Sequence, residues 1–206
     1  YLDEVFINLN KKFIILHKES TFTPLEEINA TKLYQKYNDK SFANKISVYS
    51  KSQRRNLKDN QNLLFKEMGD GLYDKRYKLF KVYTKNRHFE GQMKNMTLNQ
   101  FNDFYYNSPI KNKVFDVTND DNELIGSILL DFIDDGLSAV YSFYDTSFIK
   151  SGIGKFLILK AMQKVKDLNL KYLYLGWWIK DSEKMNYKGS FKNLEIFTNG
   201  KWEPKI

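Results

Sequence analysis

The sequence predicts an α+β protein, a mixed sheet with flanking helices, preceded by a smaller α+β region. Two observations carry this. Three β-rich runs follow one another between 112 and 145, each separated from the next by turn residues. Gly152 and Gly154 then open an amphipathic segment, and a fourth β run follows it at 170–179. The order is meander, glycine turn, helix, strand, and the crossover helix returns the last strand to the same sheet.

The elements follow in order. Residues 4–9 (EVFINL) and 12–17 (KFIILH) are apolar runs meeting at Asn10-Lys11, the pattern of a hairpin. Thr23-Pro24 starts a helix with Leu25, Ile28, Leu33 and Tyr37 on its apolar positions. Residues 44–58 hold a short strand and then a tight basic cluster, and 61–68 read as a strand. After the turn Gly69-Asp70-Gly71, residues 72–86 read as a helix that turns Leu72, Tyr73, Tyr77, Phe80 and Tyr83 inward. A further helix fits 97–106 and is stopped by Pro109. Strands at 112–118 and 123–133 join through Asn119-Asp120-Asp121-Asn122, and Asp134-Asp135-Gly136 leads into a third at 137–145. The helix at about 153–168 buries Ile153, Phe156, Leu157, Ala161 and Val165. The loop at 107–112 divides an N-terminal region, 1–108, from the sheet-bearing region, 109–206.

Composition bounds the chemistry. The chain is 42% hydrophobic and 16% aromatic, enough for a real core. It carries a formal net charge of +8, which suits a polyanionic partner. It has no cysteine, so disulfides, thiol nucleophiles and Cys-ligated metals are excluded. His17 and His88 are the only histidines, so no metal site is expected. No apolar run reaches membrane-spanning length, and no membrane association or signal peptide is expected.

One stretch stands out, "YLGWWIKDSEKMNYKGSFKNLEIF" at 174–197. Rings crowd around Gly176, and lysines recur at 180, 184, 188 and 192. A core needs no lysines, and a solvated surface needs no tryptophans. On a helix, lysines four apart would share one face and could meet phosphates. Trp177 and Trp178 alternate across a strand, so one of them belongs to the core.

Three strands, a glycine turn and a helix are similar to the centre of the GNAT acyltransferase fold, where the turn's N–H groups hold the coenzyme A pyrophosphate. That fold usually places Arg or Gln three residues before the first glycine, where this chain has Ile149 in "IKSGIG". A second likeness is more specific. "DDGLSAVYSFYD" (134–145), "LKYLYLGWWI" (170–179) and "KMNYKGSFKNLEIFTNGKW" (184–202) resemble the C-terminal domain of aminoacyl-tRNA–protein transferases. These comprise the arginyl-transferases of eukaryotes and the bacterial leucyl-transferases of the N-degron pathway. "SKSQRRNLKDN" (50–60) resembles that family's Ser-Gln-Arg-Arg segment, and "RHFEGQMKNMTLNQFNDF" (87–104) its bacterial His-to-Met segment. The likeness runs from about residue 46 to the end. Two departures stand against it. The family's Cys-rich segment, which binds a metal or iron–sulfur cluster, has no counterpart in "KLYQKYNDKSFANKISVY", and Thr146 replaces the proline that usually follows Tyr-Asp.

The resemblance implies a cytoplasmic enzyme that moves an amino acid from an aminoacyl-tRNA to a free amine on a protein or peptide. Aminoacyl-tRNA is then a cosubstrate, and no other cofactor is implied. Asp145 and Tyr144 are the catalytic candidates: a strand-end carboxylate to orient or deprotonate the amine, and a phenol to relay a proton. Ser142, Tyr174, Gly176, Trp177, Tyr187 and Lys188 are the substrate-binding candidates. Lys51, Gln53, Arg54, Arg55 and Lys184 are those for tRNA. Asp145 has an alternative as a strand-end cap, and Lys51, Arg54 and Arg55 as a solvated basic turn. Two other functions compete: an acetyl-CoA-dependent N-acetyltransferase, and an RNA-binding module without catalysis. Neither the amino acid carried nor the acceptor can be read from these residues.

Overall fold

The computed structural model describes residues 49–67, 72–176, 178, 182, 185–191, 194–198 and 201–204. The expected hairpin at 4–17, the helix after Pro24 and the turn at 69–71 lie outside them, as do Trp177 and Lys184.

The basic cluster is a helix, α1 (Lys51–Asp59). Its start is set by a reciprocal cap. The Gln53 N–H donates to Ser50 Oγ at 3.2 Å, and the Ser50 N–H donates to Gln53 Oε1 at 2.7 Å. Strand β1 (Leu64–Glu67) follows, then α2 (Tyr73–Arg87), a short 3₁₀ turn at Gln92–Asn95, and α3 (Leu98–Tyr106). Thr97 and Gln100 repeat the capping box at the start of α3.

Strands β2 (Asn112–Thr118), β3 (Leu124–Ile133) and β4 (Gly136–Tyr144) form the antiparallel meander. Helix α4 (Ile153–Asp167) crosses over to β5 (Tyr172–Tyr174), which pairs parallel with β4. The sheet order is β1-β2-β3-β4-β5. Residues 64–67 thus join the same sheet as the later strands, so sheet and core run across position 108.

Two sequence expectations need correction. One mixed sheet was expected over residues 112–198, but β6 (Glu195–Thr198) pairs with β7 (Lys201–Pro204) in a separate two-stranded sheet. Only two residues separate these strands, so the local hairpin closes at least entropic cost. The strand expected over 170–179 spans only Tyr172–Tyr174, because Gly176 takes φ +69° and turns the backbone out of the sheet. β5 therefore covers β4 only along Gly136–Ser138, and β4 continues past it to Tyr144.

Helices cover both faces. Gly126 faces α4, with Leu157 Cδ1 3.4 Å from where a Cβ would stand. Its neighbour Ser127 points the other way and accepts the Tyr105 hydroxyl at 3.1 Å, which puts α3 on the opposite face. There Phe80, Phe101, Tyr105 and Phe143 are fully buried and in mutual ring contact. Each such side chain contributes about 1.5–3 kcal/mol. Arg76, also fully buried, forms a bidentate ion pair with Asp116, and Ser127 Oγ donates to the same carboxylate at 2.7 Å.

Candidate active site

The uncovered part of β4 opens a pocket of about 680 Å³. Ser142 and Tyr144 stand on β4, and Gly152, Gly154 and Lys155 at the start of α4. Arg87, His88 and Glu90 stand where α2 ends, and Leu175, Tyr187 and Lys188 on the wall after β5. A register irregularity lies in this part of β4: the β3–β4 pairing shifts between Leu129 and Leu130, leaving Val140 as the extra residue.

The glycine turn is tightly built. Asp145 caps the 3₁₀ turn Thr146–Ser151, its Oδ1 accepting the Ser147 N–H at 2.9 Å and the Ser147 hydroxyl at 2.8 Å. Gly152 takes φ +69°, and a Cβ there would stand 2.7 Å from the Asn56 amide nitrogen. That amide donates to the carbonyls of Ser151 (2.9 Å) and Gly152 (3.1 Å), and Asn60 donates to Ser151 O at 2.9 Å. Helix α1 thus holds the turn from behind. On the pocket side, a Cβ on Gly154 would stand 2.9 Å from the Tyr144 ring, so glycine lets that ring lie against the helix start.

Lys188 is buried, and its Nζ donates to the Leu175 carbonyl at 2.6 Å, just where β5 leaves the sheet. Burial pulls its pKa down to about 8. The neighbouring Tyr187 has part of its surface in solvent, but its phenol group is packed inward and burial pushes it up to about 12. Tyr83 packs its ring 4.9 Å from that of Tyr144, and burial raises its phenol well above the ordinary value. The pocket therefore holds phenols that keep their protons at neutral pH and one lysine that sheds its proton near it.

Of the residues singled out in the sequence, Ser142, Tyr144, Tyr187 and Lys188 come together on this pocket. Asp145 does not line it; its carboxylate is turned to Ser147. Tyr174 is buried near the far end of β4, its hydroxyl donating to Asp135 at 3.2 Å and its ring against Trp202. Gly176 ends β5 and is off the pocket wall. Trp178 is the core tryptophan. Gln53 is buried and committed to the α1 cap, whereas Lys51, Arg54 and Arg55 are exposed. Arg54 donates to Tyr49 O at 2.8 Å, and Arg55 pairs with Asp59 at 3.6 Å. The expected lysine face is not what positions Lys188: it sits in the short 3₁₀ turn Asn186–Ser190 and points inward.

Asn56, Asn60, Arg87, Glu90 and Lys155 were not singled out in the sequence. Asn56 and Asn60 carried a usable signal, two amides four apart on one helix face next to the basic residues. Lys155 directly follows the glycine pair.

A mixed sheet with an open edge at the end of a parallel strand pair, backed by a glycine turn and helix, is the GNAT-like acyltransferase architecture. Residues 75–198 match the family model described as "Arginine-tRNA-protein transferase, C terminus", and the chain belongs to that family. A protein from Dinoroseobacter shibae named aspartate/glutamate leucyltransferase is 36% identical over 165 residues, covering 75% of this chain and 58% of that protein. One of the same name from Ruegeria pomeroyi is 37% identical over 155 residues, covering 75% and 57%. The chain thus spans somewhat more than half the length of these relatives. Among solved structures, a GNAT-family acetyltransferase from Staphylococcus aureus aligns at a TM-score of 0.49 and 20% identity, over 70% of this chain and 93% of that one. With no cysteine in the 206 residues, a Cys-held metal or cluster does not fit this chain. Among the described residues, no helix is long and apolar enough to cross a membrane.

Proposed function

We propose that the chain transfers leucine from leucyl-tRNA to the N-terminal amine of proteins or peptides that begin with Asp or Glu, in the cytoplasm where charged tRNA is found. The single observation that carries this is the pocket where Tyr144, Tyr187 and Lys188 meet beside the glycine turn. The names of the relatives supply the amino acid and acceptor class.

The ester of an aminoacyl-tRNA is already activated, so a free amine can attack its carbonyl directly. The attacking ammonium loses one proton before attack and a second once the C–N bond has formed, one passing to the leaving oxygen and the other to solvent. The C–O bond to the terminal ribose then breaks, and the ribose hydroxyl leaves with a proton. Lys188, neutral in part near pH 8, takes the ammonium's proton and can return it to the leaving oxygen. The hydroxyls of Tyr144 and Tyr187 donate to the oxyanion. Ser142 faces the same space. Asp145 acts as a positioning residue, through the turn it caps.

The test incubates the chain with a charged tRNA mixture and peptides beginning with Asp, Glu, Ala or Arg, and reads mass gain. A leucine added to the acidic peptides is expected. No aminoacyl adduct on any peptide, with acetyl transfer from acetyl-CoA instead, overturns the reading.

Attraction to tRNA is assigned to α1. Changing Arg54 and Arg55 together to Ala should weaken tRNA binding and lower the slope of log K against log salt by about one for each phosphate no longer neutralised. Fluorescence titration across salt concentrations measures this, and an unchanged slope would assign both residues to plain surface.

A further inference from the structure

The pocket rim is not uniformly basic. Arg87 and Lys155 line it as cations, and Glu90 is the one carboxylate among its described lining residues. Among the described residues, Arg87, Glu90 and Lys155 make no hydrogen bond or ion pair with another side chain, whereas Lys188 is held by the Leu175 carbonyl. Glu90 also sits on a braced corner. The Gly91 N–H donates to His88 O at 2.9 Å, closing a tight turn with Phe89 and Glu90 at its tip. Lys94 Nζ holds the Phe89 carbonyl, and buried Met93 anchors the segment after the turn. Phe89 is 62% exposed at this tip.

A free carboxylate in a pocket that must attract a polyanion opposes that attraction. It fits a site for a cation; the leucyl group and the incoming acceptor each bring an ammonium, and the neighbouring guanidinium favours the acceptor's ammonium, because that one comes with a second, acidic group. An acceptor beginning with Asp or Glu carries a carboxylate a few bonds from that ammonium. Arg87, three residues before Glu90 at the end of α2, offers the complementary guanidinium. Lys155 stands apart, on the first turn of α4.

Resting on the proposed transfer activity, we infer that the Arg87–Glu90 corner is the acceptor-recognition element: Glu90 binds the acceptor's α-ammonium and Arg87 its acidic side chain. The tRNA end then occupies the opposite wall, toward Lys155 and the glycine turn. Acceptor choice is thereby set by a different wall from the one that holds the charged tRNA.

The test uses the full chain with peptides beginning with Asp, Asn or Lys. Arg87→Gln should lower kcat/KM for the Asp peptide about tenfold to hundredfold, leave the Asn peptide within about threefold, and leave the KM for charged tRNA unchanged. Arg87→Glu should turn the preference toward the Lys peptide. Glu90→Gln should raise the peptide KM for all three without raising that for tRNA. Lys78→Glu, on the exposed side of α2, changes net charge as Arg87→Glu does and should alter none of these. Equal losses for Asp and Asn peptides, with a raised tRNA KM, would put Arg87 on the tRNA and overturn the assignment. Calorimetric binding of the Asp peptide without tRNA provides an independent arm. If the unmodified chain transfers nothing, the proposed activity fails. The corner assignment then stands or falls on whether Arg87→Gln and Glu90→Gln weaken that binding.

Discussion

Replacing Lys188 with Met should slow single-turnover transfer from saturating leucyl-tRNA by about a hundredfold to ten-thousandfold, the range of a positioned acid–base group. Lys188 lines the pocket, is shielded from solvent and donates to the Leu175 carbonyl. Because burial brings its pKa down to about 8, its neutral fraction grows as pH rises through that value. The rate should climb with pH and level off above about 8, and Lys188→Met should abolish this limb. Lys188→Arg keeps the charge and cannot release a proton, so it should be nearly as slow. Stability gives a second readout. The unfolded lysine holds its proton up to its ordinary value of 10.5. Between about 8 and 10.5 the unfolded state therefore binds more protons than the native one, and native stability should rise with pH. Lys188→Met should lose that rise. A variant with unchanged rate and an intact pH limb would remove Lys188 from the chemistry.

The second large effect lies in the core. Arg76→Met should cost about 3–5 kcal/mol, because it leaves the Asp116 carboxylate buried without its countercharge. That is a large part of the roughly 5–15 kcal/mol that holds a domain folded. The double variant Arg76→Met with Asp116→Leu should recover most of the loss, since apolar replacement of a buried pair is often neutral. The orphaned Ser127 hydroxyl retains the Phe115 carbonyl as an acceptor at 3.4 Å. Urea unfolding of the three proteins measures this. A double variant no better than the single one would mean that the pair matters for shape rather than for charge.

Much of the sheet was legible because its signals are local. β2, β3 and β4 alternate between strong turn residues, and α4 has a clear apolar stripe after its glycines. α1 was harder, since Lys51–Asp59 has almost no apolar residue to show a period; only the Ser50–Gln53 capping box marks it. The shortness of β5 was not legible. Its limit depends on the backbone at Gly176, a conformation set by tertiary packing rather than by the local run of apolar residues. The same contrast runs through the site. Ser142, Tyr144, Tyr187 and Lys188 carry motif signals and meet on the pocket. Asp145 ends β4 as read, but its carboxylate is spent on the next turn. Arg87 and Glu90 lie in the segment at 87–104 that resembles the family, but nothing within that run sets these two apart, because what makes them notable is the pocket they share with residues far along the chain.

The contact between Asn56 and the glycine turn has a consequence for descent. The Asn56 amide fills the space that a Cβ at 152 would need, while grasping the carbonyls of Ser151 and Gly152. Neither position can drift alone. A lineage that replaced Gly152 first would meet both the clash and the unfavourable φ, and one that shortened residue 56 first would strip one donor from each of two carbonyls, leaving Asn60 and the Phe156 N–H to hold them. The two residues, 96 apart in the chain, should therefore change together or not at all, and a descendant carrying one new residue should carry its counterpart as well.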